Sequence, residues 1–365
     1  MLKPVKKIGI DCRSMSIGGG VKTYLTNLIN ELGKFDKKNK YFLYYDSEKN
    51  LDTFKFKNFK EIVLKNRYKF LIPYWEQIRL KNRVIKDEID VFHGTKNTIS
   101  LFLPKKIKKI ITIHDLTPFL FGNEMNYLDL IYWRIIIPKS LKVTDKIISI
   151  SNSTKDDLIR LFPDTRKKIT VVYHGSHNSQ DGNVKIMTKK EEVGKFFLMV
   201  GAIRPRKNIE RVLLAMSKIS NKNFKLYIVG KNLNYIKKIK KLIKDCNLTE
   251  RVILKGYVSD EELNILYSTA IAYIYPSLYE GFGLPILEAQ LRGLPVITSN
   301  NSSMPEVAGD GAFFVDPYSV DDIRNAMEQL IQDKVLRERL INNGHKNIQK
   351  FLWETCAIET LKIYE

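Results

Sequence analysis

The run Pro276-Ser277-Leu278-Tyr279-Glu280-Gly281-Phe282-Gly283-Leu284-Pro285-Ile286-Leu287-Glu288-Ala289 is the chain's densest concentration of chemically useful residues. An apolar strand pattern runs into a turn holding two glycines. A helix then begins with proline at or near its first position, where the missing N–H costs nothing. The unpaired N–H groups of such a first turn, aided by the helix dipole, make a site for phosphate. Glu280 precedes the turn and Glu288 lies about one turn into the helix, so both carboxylates can accept hydrogen bonds from hydroxyl groups beside a held phosphate. Sugar hydroxyls, a diphosphate and ribose hydroxyls in a row describe a nucleotide sugar. Two solvated glutamates flanking a structural turn are the plainer alternative. The coincidence of two glycines, a proline and two carboxylates at one strand end weighs against it.

Other strand ends add to the set. Gly201 precedes Arg204, Arg206 and Lys207, cations suited to neutralising charge that builds on a departing diphosphate. Gly18-Gly19-Gly20 lacks the spacing of a dinucleotide site, but glycine lets backbone amides approach a phosphate closely. His114 and Asp115 follow an apolar strand pattern, with Asp115 placed either to orient the imidazole or to cap the next turn. His93, His174 and His177 fall into no constellation. No Ser/His/Asp nucleophile motif is present, and no D-x-D pair that would bring Mg²⁺ or Mn²⁺ to a nucleotide diphosphate. With Lys207 and a helix N-terminus available, the expected departure of the nucleotide is metal-independent, with no metal site and no cofactor beyond the donor itself.

The elements that must position these residues alternate throughout. Strands are expected at residues 5–10, 41–45, 61–64, 91–93, 110–113 and 147–150, with helices at 21–32, 75–86 and 153–161 between them. A polar stretch at 179–194 reads as a linker. A second series follows: strands at 196–200, 225–229, 252–254, 272–275 and 295–298, helices at 208–219, 236–245, 261–268, 285–292 and 320–332. The fold class is therefore α/β, two Rossmann-like doubly wound domains facing across a cleft, at residues 1–178 and 195–350. Ligands in such sheets bind at the carboxyl ends of strands.

Composition narrows the function classes. The 365 residues suffice for two domains, and 44% apolar against 28% charged residues gives a chain that folds on real cores. No apolar run reaches the ~20 residues that span a bilayer, and the start shows no signal-peptide pattern. The three cysteines, Cys12, Cys246 and Cys356, are too scattered for a disulfide framework, which fits a reducing cytosol. Net charge is +21 and unevenly shared: residues 1–180 hold 34 basic and 18 acidic side chains, residues 181–365 hold 27 and 22. A nucleic-acid-binding protein would account for the basic half, yet no helix-turn-helix, zinc or RNA-binding motif accompanies it, and no nucleic-acid partner is expected. Phe70-Leu71-Ile72-Pro73-Tyr74-Trp75, followed by Arg79, Lys81, Arg83 and Lys86, and the cluster Lys105-Lys106-Ile107-Lys108-Lys109, suit an anionic bilayer interface better.

Glu280 to Ala289 resembles, almost letter for letter, the hallmark of the retaining GT-B glycosyltransferases of glycosyltransferase family 4. Further matches are Gly201 with Arg206-Lys207-Asn208, Gly256-Tyr257-Val258, Gly293-Leu294-Pro295-Val296, Pro305-Glu306, the glycine loop and Ile113-His114-Asp115-Leu116-Thr117-Pro118. The resemblance implies a donor site in the C-terminal domain and an acceptor site in the N-terminal one. It gives Lys207 the diphosphate, with an arginine beside it. Ala202 stands where many members place that arginine, which leaves Arg206 or Arg204. It puts Gly19 and Gly20 over the diphosphate, His114 near sugar and acceptor, and Glu280 in the catalytic set. Gly201, Tyr257, Val258, Gly283, Leu284, Pro285 and Glu288 are placed around the nucleotide. A final helix, 351–365, is implied to cross back to the first domain. The implied activity is retaining hexosyl transfer from a GDP- or UDP-sugar to a glycan or polyprenyl-diphosphate-linked acceptor, at the inner face of the cell membrane. Likeness to bacterial mannosyl- and rhamnosyltransferases of surface-polysaccharide assembly favours mannose. An epimerase of related fold is the competing reading.

Overall fold

Short runs of β-branched and aromatic residues, apolar on both sides, form strands only when both faces are covered. The computed structural model, which describes residues 4–16, 19–48, 51, 53–66, 68, 72–176, 194–230 and 235–365, shows thirteen of them among those residues. The first seven are β1 (Lys7–Asp11), β2 (Lys40–Tyr45), β3 (Phe59–Val63), β4 (Val91–Gly94), β5 (Lys108–Ile113), β6 (Lys146–Ser149) and β7 (Ile169–Val171). They form one parallel sheet in the order β3-β2-β1-β4-β5-β6-β7. The remaining six are β8 (Phe196–Val200), β9 (Lys225–Val229), β10 (Val252–Gly256), β11 (Ala272–Tyr275), β12 (Val296–Ser299) and β13 (Ala312–Val315), a second parallel sheet in the order β10-β9-β8-β11-β12-β13. Each order reverses direction beside its first strand. That gives each sheet a switch point, β1/β4 in one and β8/β11 in the other, where loops diverge and ligands can enter.

The chain divides into two compact units, Met1–Ser179 with Leu352–Glu365, and Gln180–Phe351. The expected linker falls outside the described residues save for Gly194, as do Gly18, Phe70, Leu71 and His177. The C-terminal helix Trp353–Tyr364 packs on the helix Gly20–Phe35 within the first unit. Gly175, after β7, lets the start of that helix come close: a Cβ there would lie 2.2 Å from the Trp353 backbone nitrogen. Phe351 stays with the second unit, its ring 5.8 Å from Phe282.

Two expectations need correction, and one helix was not expected at all. Trp75 is not an interfacial aromatic: it is buried with Leu80 and Val84, and its indole N–H donates to the Leu64 carbonyl. The segment Trp75–Leu80 is a π-helix, so Leu80, five residues on, returns to the side Trp75 occupies. Lys109 is likewise buried, its ammonium on the Ile107 carbonyl, so the 105–109 cluster presents fewer cations than its spelling suggests. Finally, Tyr127–Val143 is a 17-residue helix that periodicity misses, because its apolar residues lie on nearly every side and Pro138 sits inside it.

Candidate functional site

At the second sheet's switch point, β8 is followed by Gly201, and the chain passes through a tight turn, Pro205–Lys207. Asn208 closes the turn at φ +61°, a left-handed conformation that asparagine tolerates. Its Nδ2 donates to the Pro276 and Pro317 carbonyls, and Leu278 N donates to the Arg206 carbonyl at 2.8 Å. The loop after β8 is thus stitched to the loop after β11. A third loop, after β12, holds the turn between the glycines: Ser302 Oγ and Ser303 Oγ donate to the Glu280 carbonyl at 2.8 and 3.0 Å. Gly283, at φ +121°, precedes the helix Leu284–Leu291, with Pro285 in its first turn. Only glycine adopts that backbone cheaply, so the spelling of the motif follows from the turn it must make.

The side chains converge. Lys207 Nζ lies 2.6 Å from Glu280 Oε1, and Arg206 Nη1 lies 3.0 Å from Glu280 Oε2. Burial would raise the Glu280 pKa, but Arg206 and Lys207 outweigh it and hold the carboxyl down at about 2. Glu288 experiences the opposite: burial raises its pKa, and Arg292 and the hydroxyl of Tyr267 oppose this without reversing it. The two glutamates of the pair thus sit in opposite environments, one lowered by two cations and the other raised by burial.

Between them runs a feature that the sequence reading missed. Tyr267, Tyr273 and Tyr275 form a ladder, with ring centroids 5.8 and 5.7 Å apart. At one end the Tyr267 hydroxyl donates to Glu288 Oε2 at 3.3 Å; at the other, Lys207 Nζ donates to Tyr275 Oη at 2.7 Å. Tyr273 donates to the Val200 carbonyl. Apolar strand periodicity reads such tyrosines as core and is blind to their hydroxyls. Ser302 and Ser303 were missed because a serine pair in a loop carries no signal of its own.

Of the two arginines left open, Arg206 is the one brought beside Lys207 and Glu280. Gly201 faces the Lys207 side chain, and Ala202, Lys207 and Tyr275 share a small pocket with it. Leu284 and Pro285 form the helix start. Tyr257 and Val258 follow β10, two strands from β8; Tyr257 is exposed and Val258 buried.

Gly19 and Gly20 begin the helix Gly20–Phe35 in the first unit, with Gly19 at φ +86°. His114, after β5, is buried there. Its Nε2 donates to the Thr95 carbonyl at 2.8 Å, and its backbone N–H donates to Asn97 Oδ1. Burial lowers its pKa to about 4, so the imidazole is neutral at physiological pH. Asp115 caps rather than orients, its Oδ1 accepting from Thr117 N. His93, placed in no constellation by its sequence context, bridges Tyr364 Oη and Thr112 Oγ1 at 2.7 Å each, and Thr112 reaches Tyr24 Oη at 3.1 Å. The first sheet's switch point holds a buried ionic group: Arg13 pairs with Asp11 at 3.0 Å and Glu76 at 2.7 Å, and Thr98 and Tyr132 donate to Glu76. Among the described residues, no group of three His, Cys, Asp or Glu side chains could hold a metal ion.

Both halves of the chain match known glycosyltransferase families. The family described as Glycosyltransferase Family 4 matches residues 18–177, and that described as Glycosyl transferases group 1 matches residues 183–347. The O-antigen chain mannosyltransferase B of Escherichia coli is 30% identical over 84% of this chain and 81% of its own length. The O-antigen chain mannosyltransferase RfbU of Salmonella typhimurium is 30% identical over 63% of each chain. Among solved structures, sucrose-phosphate synthase from Thermosynechococcus elongatus aligns over 98% of both chains with a TM-score of 0.76 at 20% identity. WaaG, a glycosyltransferase involved in lipopolysaccharide biosynthesis, aligns over 98% of this chain and 99% of its own, with a TM-score of 0.74 at 15% identity. Both share the two-domain GT-B fold.

Proposed function

The chain belongs to glycosyltransferase family 4 and is a nucleotide-sugar-dependent glycosyltransferase, and from that premise we propose that it moves a hexose, mannose in first place, onto a glycan or polyprenyl-diphosphate-linked acceptor in cell-surface polysaccharide synthesis. The observation that carries this reading is the Arg206–Lys207–Glu280 cluster at the β8/β11 switch point. Mannose is favoured by the relatives, several of which are mannosyltransferases by name.

In the proposed reaction the donor's diphosphate lies against Lys207, Arg206 and the first-turn amides of the helix Leu284–Leu291. As the bond from C1 of the sugar to the phosphate oxygen breaks, charge grows on the nucleotide diphosphate, and these groups stabilise it in place of a metal. Glu280 and Glu288 accept from sugar and ribose hydroxyls. The acceptor hydroxyl attacks C1 from the face the nucleotide leaves, its proton passing to the departing phosphate oxygen, so the anomeric configuration is retained.

We assign the acceptor to the first unit, at an anionic membrane surface. Supporting this, the helix Tyr127–Val143 exposes Tyr127 (74%), Leu128 (78%), Ile131 and Ile135 beside Arg134, Lys139 and Lys142. At 100° per residue these seven fall within one 140° arc. No helix among the described residues is long and apolar enough to cross a membrane. Sedimentation with anionic vesicles at low salt should carry the wild type down and leave Leu128→Asp in solution; equal behaviour contradicts this assignment.

A donor panel (GDP-mannose, UDP-glucose, UDP-galactose), followed by nucleotide release and by NMR of the anomeric proton, tests the reaction. Release from GDP-mannose with retention is expected. Epimerisation of a donor alone, or inversion, would overturn the proposal.

A further inference from the structure

We propose that Glu280 is an internal competitor for the diphosphate: its carboxylate holds the two cations that the donor's phosphates need, and donor binding exchanges one anion for the other. The inference rests on the donor-site reading above. One carboxylate spans both cations, Oε1 on Lys207 and Oε2 on Arg206, as a pair of phosphate oxygens would. The three side chains are only 11%, 14% and 16% exposed, for Glu280, Lys207 and Arg206. Little water is available to screen a second anion brought to the same cations, so carboxylate and phosphate repel at contact distance and one must leave.

The surroundings keep the cation aimed once the carboxylate turns away from it and from the neighbouring hydroxyls of Tyr275 and Ser277. Lys207 has a second holder in Tyr275, whose hydroxyl lies 2.7 Å from Nζ and whose ring centroid lies 4.5 Å from it. The Glu280 backbone is pinned on both sides by Ser302 Oγ, and Ser303 Oγ adds to this. The exchange is therefore a rotation of one side chain and needs no loop opening. Once displaced, the carboxylate needs hydroxyl donors. A sugar attached to the diphosphate supplies them; a spent nucleoside diphosphate does not. Glu280 thus favours intact donor over product and hastens product release.

Isothermal titration of the full chain with inorganic pyrophosphate, at low ionic strength and without added divalent cation, tests this. Glu280→Gln should bind pyrophosphate about tenfold or more tighter than wild type, because the competing anion is gone. Glu280→Asp keeps the charge but falls a methylene short of the cations, and should tighten binding by a smaller factor. Lys207→Ala should lose it. If Glu280→Gln binds no tighter while Lys207→Ala loses binding, the exchange is wrong and the donor site stands. Tightening in Glu280→Gln with none in Glu280→Asp assigns the effect to charge at a distance and also overturns the exchange. Equal binding by wild type and Lys207→Ala overturns the donor site itself.

Discussion

The two sheets share a strand order through their first six positions yet treat their switch points in opposite ways. At β1/β4 the carboxyl edge is sealed. Arg13 is enclosed by Asp11, Glu76 and Thr98, and of the nearby neutral histidines His174 stacks between Tyr24 and Trp353 while His114 meets Tyr24 edge-on. At β8/β11 the edge holds two cations, an anion shared between them and a helix start. Topology supplies the position in both cases. What differs is burial: the first edge's ionic group is wholly enclosed, while the second's two cations and shared carboxylate stay partly exposed.

The largest effect that would sharpen the contrast is in the sealed edge. Glu76→Ala leaves Arg13 buried beside Asp11 alone and should cost the first unit about 3–5 kcal/mol. All three tryptophans, Trp75, Trp133 and Trp353, lie in that unit, so denaturant titration by tryptophan fluorescence reads its unfolding specifically. At the open edge, Lys207→Ala should lower kcat/KM about 10²–10³-fold and leave that fluorescence transition in place. A variant that unfolds the first unit instead would erase the distinction.

Acidification should also separate the two. His93 and His114 are held neutral by burial, with pKa values near 3 and 4, and burial takes His174 well below its ordinary value. Groups depressed in this way give stability that is present above about 6.5 and lost as pH falls toward 4, because the unfolded chain takes up protons first. Glu280, held near 2, gives stability that is lost only between about 4.5 and 2. Tryptophan fluorescence should therefore report first-unit loosening between pH 6.5 and 4, while the second unit, with the single depressed histidine His345 among its described residues, should lose less far-UV ellipticity over that range. The smallest expected effect is at Arg204. Arg204→Ala should change turnover by less than about threefold, against at least about tenfold for Arg206→Ala, the arginine that reaches Glu280.

How far all this was legible beforehand depended on the kind of signal. β8, β9, β11 and the helices Ile236–Asp245 and Val320–Gln332 match their expected bounds, because buried parallel strands and strongly amphipathic helices leave clear periodicity. Tyr127–Val143 left none, and Lys334–Ile348, whose sequence holds three Asn and Gly344, left little. That Lys207 and Glu280 follow strand ends was readable; which of Arg204 and Arg206 joins them was not, and the side-chain contacts decide it. The tyrosine ladder and the Asp11–Arg13–Glu76 group were not readable either, since both depend on which residues meet across strands and helices far apart in the chain.

In the proposed reaction the second unit's switch point, and not the first's, holds the donor. Hydrogen exchange of the full chain, with and without a saturating amount of whichever nucleotide sugar turns over fastest, measures this directly. The predicted result is slowed amide exchange at residues 201–209 and 279–288. Slowed exchange confined to residues 11–16 and 93–98, with the second unit unchanged, would contradict the account.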